Sequence, residues 1–143
     1  MSDPRLRARL LRSVVVAGML GVAGCSGAPA APGGDSPEAA VSTFYRALGA
    51  KDSAAACAVV AYDGKPLSGD DITLCRSGFD VVVTQVASAD ELAALTQAHA
   101  TGATVTGDRA VVGADQVTGV PAAYRQDVQL VRVGGRWYIE SPE

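Results

Sequence analysis

The sequence predicts an α+β domain, with helices first and an antiparallel sheet last. Two observations predict it. From Pro37 to Gln97 the apolar residues recur three and four positions apart, the period of a helix with one buried face. After His99, short runs of alternating Val, Thr and Ala are separated by glycine-containing turns, the pattern of β-hairpins.

Residues 1–24 of the 143-residue chain read as a signal peptide. Arg5, Arg7, Arg9 and Arg12 give a basic start, and Ser13 to Ala23 form an apolar core, SVVVAGMLGVA. That core is well short of the ~20 residues that span a bilayer as a helix. It closes on Val22-Ala23-Gly24-Cys25, which resembles the lipobox of bacterial lipoprotein precursors, with Val22 in place of the commoner leucine. The resemblance implies cleavage before Cys25, a thioether from the Cys25 sulfur to diacylglycerol, and acylation of the new amine, commonly with palmitate. A single acyl chain binds a membrane marginally, at ~0.8 kcal/mol per buried methylene, so the second chain is what makes such an anchor durable. The expected location is therefore outside the cell, lipid-anchored to the extracytoplasmic face of the membrane. Ser26 to Asp35, SGAPAAPGGD, has nothing to bury and reads as a flexible tether, so residues 25–35 form the anchor segment and residues 36–143 the globular domain.

Loss of the leader removes four arginines and Asp3, leaving eight basic against fourteen acidic residues, a balance of −6. An acidic domain without a Lys or Arg cluster has no means of gathering phosphates, which argues against nucleic acid as a partner. Two cysteines remain in the body, Cys57 and Cys75. In an exported chain an even pair reads as a disulfide; the other reading is two separate buried thiols. Two thiols and the distant His99 are too few ligands for a metal site, and Asp70-Asp71 lacks the alternating oxygens of a calcium loop. No metal and no cofactor are expected.

The first helix should begin at Asp35 or Ser36, with Pro37 in its first turn and Glu38 near the positive end of the dipole. Asp35 with Glu38 has the spacing of a capping box. Val41, Phe44, Tyr45 and Leu48 make one apolar stripe, and the helix should fade at Gly49. Asp52 should cap an alanine-rich second helix running to about Tyr62, broken by Asp63-Gly64 and Pro66, with a loop to Gly69. Asp70 or Asp71 should cap a third, whose Ile72, Cys75, Phe79, Val82, Val83 and Val86 keep helical spacing; Val81 to Val83 are also compatible with the start of a strand. Asp90 to Gln97 reads as a further short helix.

Thr104–Thr106, the turn Gly107-Asp108 and Arg109–Val112 form a hairpin with Ala103, Val105, Ala110 and Val112 on one face, and glycine first in the turn suits type II′. A last pair runs from Tyr124 to Val133 and from Arg136 to Glu140 around Gly134-Gly135. Two-residue pairing sets Leu130 opposite Ile139 and Arg132 opposite Trp137, so Val128, Leu130, Trp137 and Ile139 share the face that should meet the helices. Arg132 should lie over Trp137 as a cation–π pair. The opposite face carries Arg125, Asp127, Gln129, Arg136 and Glu140 around Val131, Val133 and Tyr138, either wet or a contact surface.

Helices first, a cysteine pair between the second and third, and a closing meander ending VRVGGRWYIE together resemble the nuclear transport factor 2-like, or cystatin-like, α+β folds over Ser36 to Glu143. The resemblance implies a curved antiparallel sheet wrapped on the first helix, leaving a conical cavity that relatives use for small apolar ligands, for catalysis or for dimerisation. The candidate lining is Val41, Phe44, Tyr45 and Leu48 from the helix, with Val128, Leu130, Trp137 and Ile139 from the sheet. Ketosteroid isomerase-like and polyketide cyclase-like enzymes of this fold set a carboxylate with a Tyr or His in that cavity. No such motif stands here, and an enzyme would need Asp80 or His99 within hydrogen-bond reach of Tyr45. The expected function is a non-enzymatic, membrane-tethered module. It would hold a small apolar ligand in the cavity, or dock an envelope protein or a second copy on Val131, Val133 and Tyr138.

Overall fold

The computed structural model describes residues 31–142. The signal peptide, the lipobox and Cys25 lie outside the described residues. What is described is an α+β domain in which α1 (Pro37–Gly49), α2 (Ser53–Cys57), α3 (Asp70–Val81) and α4 (Ala89–Leu95) accompany a mixed sheet. That sheet is built from β1 (Val60–Tyr62), β2 (Lys65–Pro66), β4 (Thr104–Thr106), β5 (Arg109–Val112), β7 (Val128–Val133) and β8 (Arg136–Glu140), in the order β2-β1-β8-β7-β5-β4. All neighbours run antiparallel except β1 with β8. A separate two-stranded ladder pairs β3 (His99–Ala100) with β6 (Val117–Thr118). Among the described residues no helix is long and apolar enough to cross a membrane.

Helix α1 starts on Ser36, whose hydroxyl oxygen accepts from Ala39 N at 3.1 Å and so satisfies one of the free N–H groups of the first turn. The Asp35–Glu38 capping box does not form, because the Asp35 carboxylate is taken by the Arg136 guanidinium. Val41, Tyr45 and Leu48 are buried as the stripe requires, and Phe44 is half-buried. On the same helix the buried Ser42 hydroxyl accepts from Ala100 N at 2.9 Å, fastening α1 to β3. Helix α4 opens with a capping box, Ser88 and Glu91 each accepting from the other's backbone N–H. Those bonds from Ser88 hold the Glu91 carboxyl below the usual carboxylate range.

The segment from the second helix to the third differs from the sequence expectation. The second helix stops at Cys57 rather than near Tyr62, and Val60–Tyr62 become β1. The edge of β8 decides this: Ile139 N donates to Val59 O at 2.8 Å and Ser141 N to Ala61 O at 2.9 Å, a pairing that alanine-rich local propensity cannot reveal. Asp63-Gly64, both at positive φ, then turn the chain into β2 where a plain loop was expected. The third helix is preceded by Gly69 and receives no side-chain cap from Asp70 or Asp71, which lie inside its first turn. It continues through a π-helical turn, Val82–Val86, so the strand reading of Val81 to Val83 is not realised.

The two hairpins form in the expected register. Val105 pairs with Ala110, Leu130 with Ile139, and Arg132 with Trp137. The last hairpin is shorter than expected on its first strand, since Ala122–Tyr124 form a 3₁₀ turn and β7 begins at Val128. Val128, Leu130 and Trp137 join the main core with α1 and α4, with Ile139 packed against it, and Arg132 sits 5.4 Å from the Trp137 ring centroid. Cys57 and Cys75 form a disulfide, Cα to Cα 6.0 Å, that ties α2 to α3.

The tether and the outer face also depart from expectation. Gly34 bridges Trp137 in both directions (N to O 2.8 and 2.9 Å), Gly33 N donates to Ala58 O, and Arg136 donates to the carbonyl oxygens of Pro32 and Gly33. Residues 32–35 are thus bound to the domain rather than free of it. They cover part of the outer face, where Val131 and Tyr138, each 6% exposed, form a second small core with Ala61 and the half-buried Val133. The patch expected to be open to a partner is largely closed.

Candidate binding cavity

A cavity of about 740 Å³ opens between α1, α3 with its π turn, and the β7–β8 hairpin. The α1 stripe supplies Phe44, Tyr45 and Leu48, because positions three and four apart on a helix share one face. Val128 and Ile139 line the sheet side and Val60 extends it onto β1, since alternate strand positions share a face. Phe79, Val82 and Val86 close the third side. The polar contribution comes from Tyr124, Gln126, Asp127, Gln129, Glu140 and Ser141. A volume of this size suits a small molecule, and apolar walls with a few polar groups are the usual makeup of such sites.

Five of the eight expected lining residues border this space: Phe44, Tyr45, Leu48, Val128 and Ile139. Val41, Leu130 and Trp137 do not. They are 0%, 1% and 5% exposed and belong to the closed core shared with Leu92, Leu95 and Ala110, deeper than the cavity floor. Tyr124, Gln126, Asp127 and Gln129 join the wall unexpectedly, because a strand from Tyr124 onward would turn Asp127 and Gln129 to the opposite face, whereas Ala122–Tyr124 form a 3₁₀ turn. Phe79, Val82 and Val86, expected only to keep helical spacing, line it as well. Only Phe79 among them is fully buried, and Val86 is 63% exposed, so the excess of apolar side chains over what α3 buries was the available signal.

Tyr45 donates its hydroxyl hydrogen to Tyr124 O at 3.0 Å, and burial raises its pKa above the ordinary value of 10.0. The Tyr124 hydroxyl in turn donates to Glu91 Oε2 at 3.4 Å; its pKa is raised by desolvation first and by the Glu91 charge second. These bonds pin the 3₁₀ turn across the cavity and leave Tyr45 without a carboxylate or imidazole partner. Asp80 is exposed and does not border the cavity. His99 lies elsewhere, in a shallow depression of about 350 Å³ with Ser36, Glu38, Ser42 and Arg46. There its Nδ1 accepts from Arg46 Nη2 at 3.3 Å, since a guanidinium can only donate. The constellation required for the enzyme reading, Asp80 or His99 on Tyr45, is therefore not assembled. Among the described residues no three His, Cys, Asp or Glu are grouped so as to hold a metal ion.

Comparison with family models, with curated proteins and with solved structures finds no match to this chain.

Proposed function

We propose that this chain is a lipoprotein of the cell envelope, anchored through acyl chains on Cys25, whose nuclear transport factor 2-like body acts as a non-enzymatic binding module for a small, largely apolar ligand. The observation that carries the binding reading is the cavity of about 740 Å³ walled by α1, α3 and β7–β8. Its position supports the fold resemblance, which calls for a cavity between the first helix and the sheet. The basic start, short apolar core and terminal Val22-Ala23-Gly24-Cys25 support the anchor. A docking role for Val131, Val133 and Tyr138 is the weaker alternative, because the first and last are buried beneath their own chain.

Each half has its own test. Cells fed an alkyne-tagged palmitate should yield a labelled band of the wild-type protein in the membrane fraction and none for Cys25→Ser. An unlabelled wild-type chain free in the medium would remove the anchor. For the cavity, native mass spectrometry of protein purified from its own envelope should reveal a co-purifying small molecule. Binding of a neutral fluorescent probe such as N-phenyl-1-naphthylamine should fall when Leu48 is replaced by Asp. A mass equal to the bare chain in every preparation, with no probe binding, would refute the module.

A further inference from the structure

The charge around the cavity restricts what it can hold, an inference that rests on the binding reading above. Its walls include two carboxylates, Asp127 and Glu140, and no Lys, Arg or His. The Glu140 carboxylate is closed off from the cavity: Oε1 accepts from Gly64 N at 2.8 Å, and the buried Oε2 stands 3.9 Å from Arg109 Nη1. Asp127 is not. Its Oδ1 accepts one bond, from Ala114 N at 2.8 Å, and among the described residues no cationic side chain forms an ion pair with it. The expected mature chain adds a net charge of −6 to this local field.

We propose that the cavity takes an amphiphile with a cationic, ammonium-type head and an aliphatic or ring body, the head meeting Asp127 and the body lying among Phe44, Leu48, Phe79 and Ile139. A carboxylate-headed lipid of the same length would set like charges together at the exposed Asp127, a repulsion that added salt screens. It would also meet no cation, whereas binding of fatty-acid anions relies on Arg or Lys donors. Gln126 and Gln129 at the polar side provide amide groups for the remaining bonds of the head. The apolar body gains from area removed from water whichever head it carries, so the discrimination lies in the head alone.

The test uses the chain from Ser26 onward with its disulfide formed, which retains every described element. N-phenyl-1-naphthylamine is bound first, then displaced by decylammonium or by decanoate, each below its micelle concentration. Decylammonium should displace the probe at roughly tenfold lower concentration, a difference that shrinks at high salt. Asp127→Asn keeps an Oδ1 to accept from Ala114 N, so the local structure survives, and it should bring the two displacement curves together. Equal displacement in the wild type, or a stronger effect of decanoate, overturns the proposal. A preference unchanged in Asp127→Asn overturns the assignment to that carboxylate. If the probe itself does not bind, the cavity fails as a ligand site and this inference falls with it.

Discussion

Gly33 sits at φ 77°, and a Cβ built on it would lie 2.8 Å from Tyr138 Cζ and 2.9 Å from Arg136 Cβ. Two independent penalties therefore meet at this residue, the left-handed backbone and the contact with a buried ring. Gly33→Ala should cost about 1–3 kcal/mol, read as a lowered midpoint in chemical denaturation. An unchanged midpoint would mean that the segment lifts off Tyr138 without loss. Tyr45 carries the second residue-scale prediction. Its raised pKa means that the folded state keeps the phenol proton more tightly than the unfolded chain does. The stability so gained is complete below pH 10, the unfolded value, and is lost as pH rises through the higher folded value. Tyr45→Phe should lose about 0.5–1.5 kcal/mol at neutral pH with the bond to Tyr124, and its melting temperature should fall less steeply than the wild type's above about pH 10. Parallel slopes for the two proteins would refute the buried phenol.

Among the four α-helices, α3 buries the smallest share of its own residues. Of its twelve residues only Phe79 is fully buried, so its attachment depends on the Cys57–Cys75 disulfide to α2. A bridge closing 18 residues of chain is worth about 3 kcal/mol in the chain-entropy model. Replacing both cysteines by Ser should lower the melting temperature by roughly 10–20 °C. It should also raise amide exchange in Asp70–Val86 more than in β7 or β8, which lie in the main core. Uniform loss of protection would instead mark α3 as part of one cooperative unit. The same elements show what the sequence could and could not reveal. Helix α1, α4 and the two hairpins are local: Pro37, the Ser88–Glu91 pair, Gly107 and Gly134-Gly135 announce them within a few residues. Strand β1 is not local, since Val60 finds its partner at Ile139, and the alanine run before it favours helix until β8 is in place. The cavity was half legible for the same reason. The α1 stripe gives one wall, but the depth at which Val41, Leu130 and Trp137 lie depends on α4, whose packing partner no local pattern names.

For the molecule as a whole, the docked segment before α1 limits how far the domain can stand from the proposed anchor. Arg136 holds this strip by its ion pair to Asp35 and its bonds to Pro32 and Gly33, while Gly34 adds two backbone bonds to Trp137. Only the chain from Cys25 to Ala31 then separates the proposed lipid from the folded body, at most about 22 Å when fully extended. Had the tether run free to Asp35, the limit would be about 36 Å. Arg136→Ala removes the clamp while leaving the Gly34–Trp137 bridge, whose two bonds alone are weak. Neutron reflectometry of the lipidated protein on a supported bilayer should place the wild-type layer within about 22 Å of the headgroups and the Arg136→Ala layer farther out or more broadly spread. Identical profiles for the two proteins would show that Arg136 does not set the spacing, and the hold on the strip would then have to be credited to the Gly34 bridge and the packing of Gly33 on Tyr138.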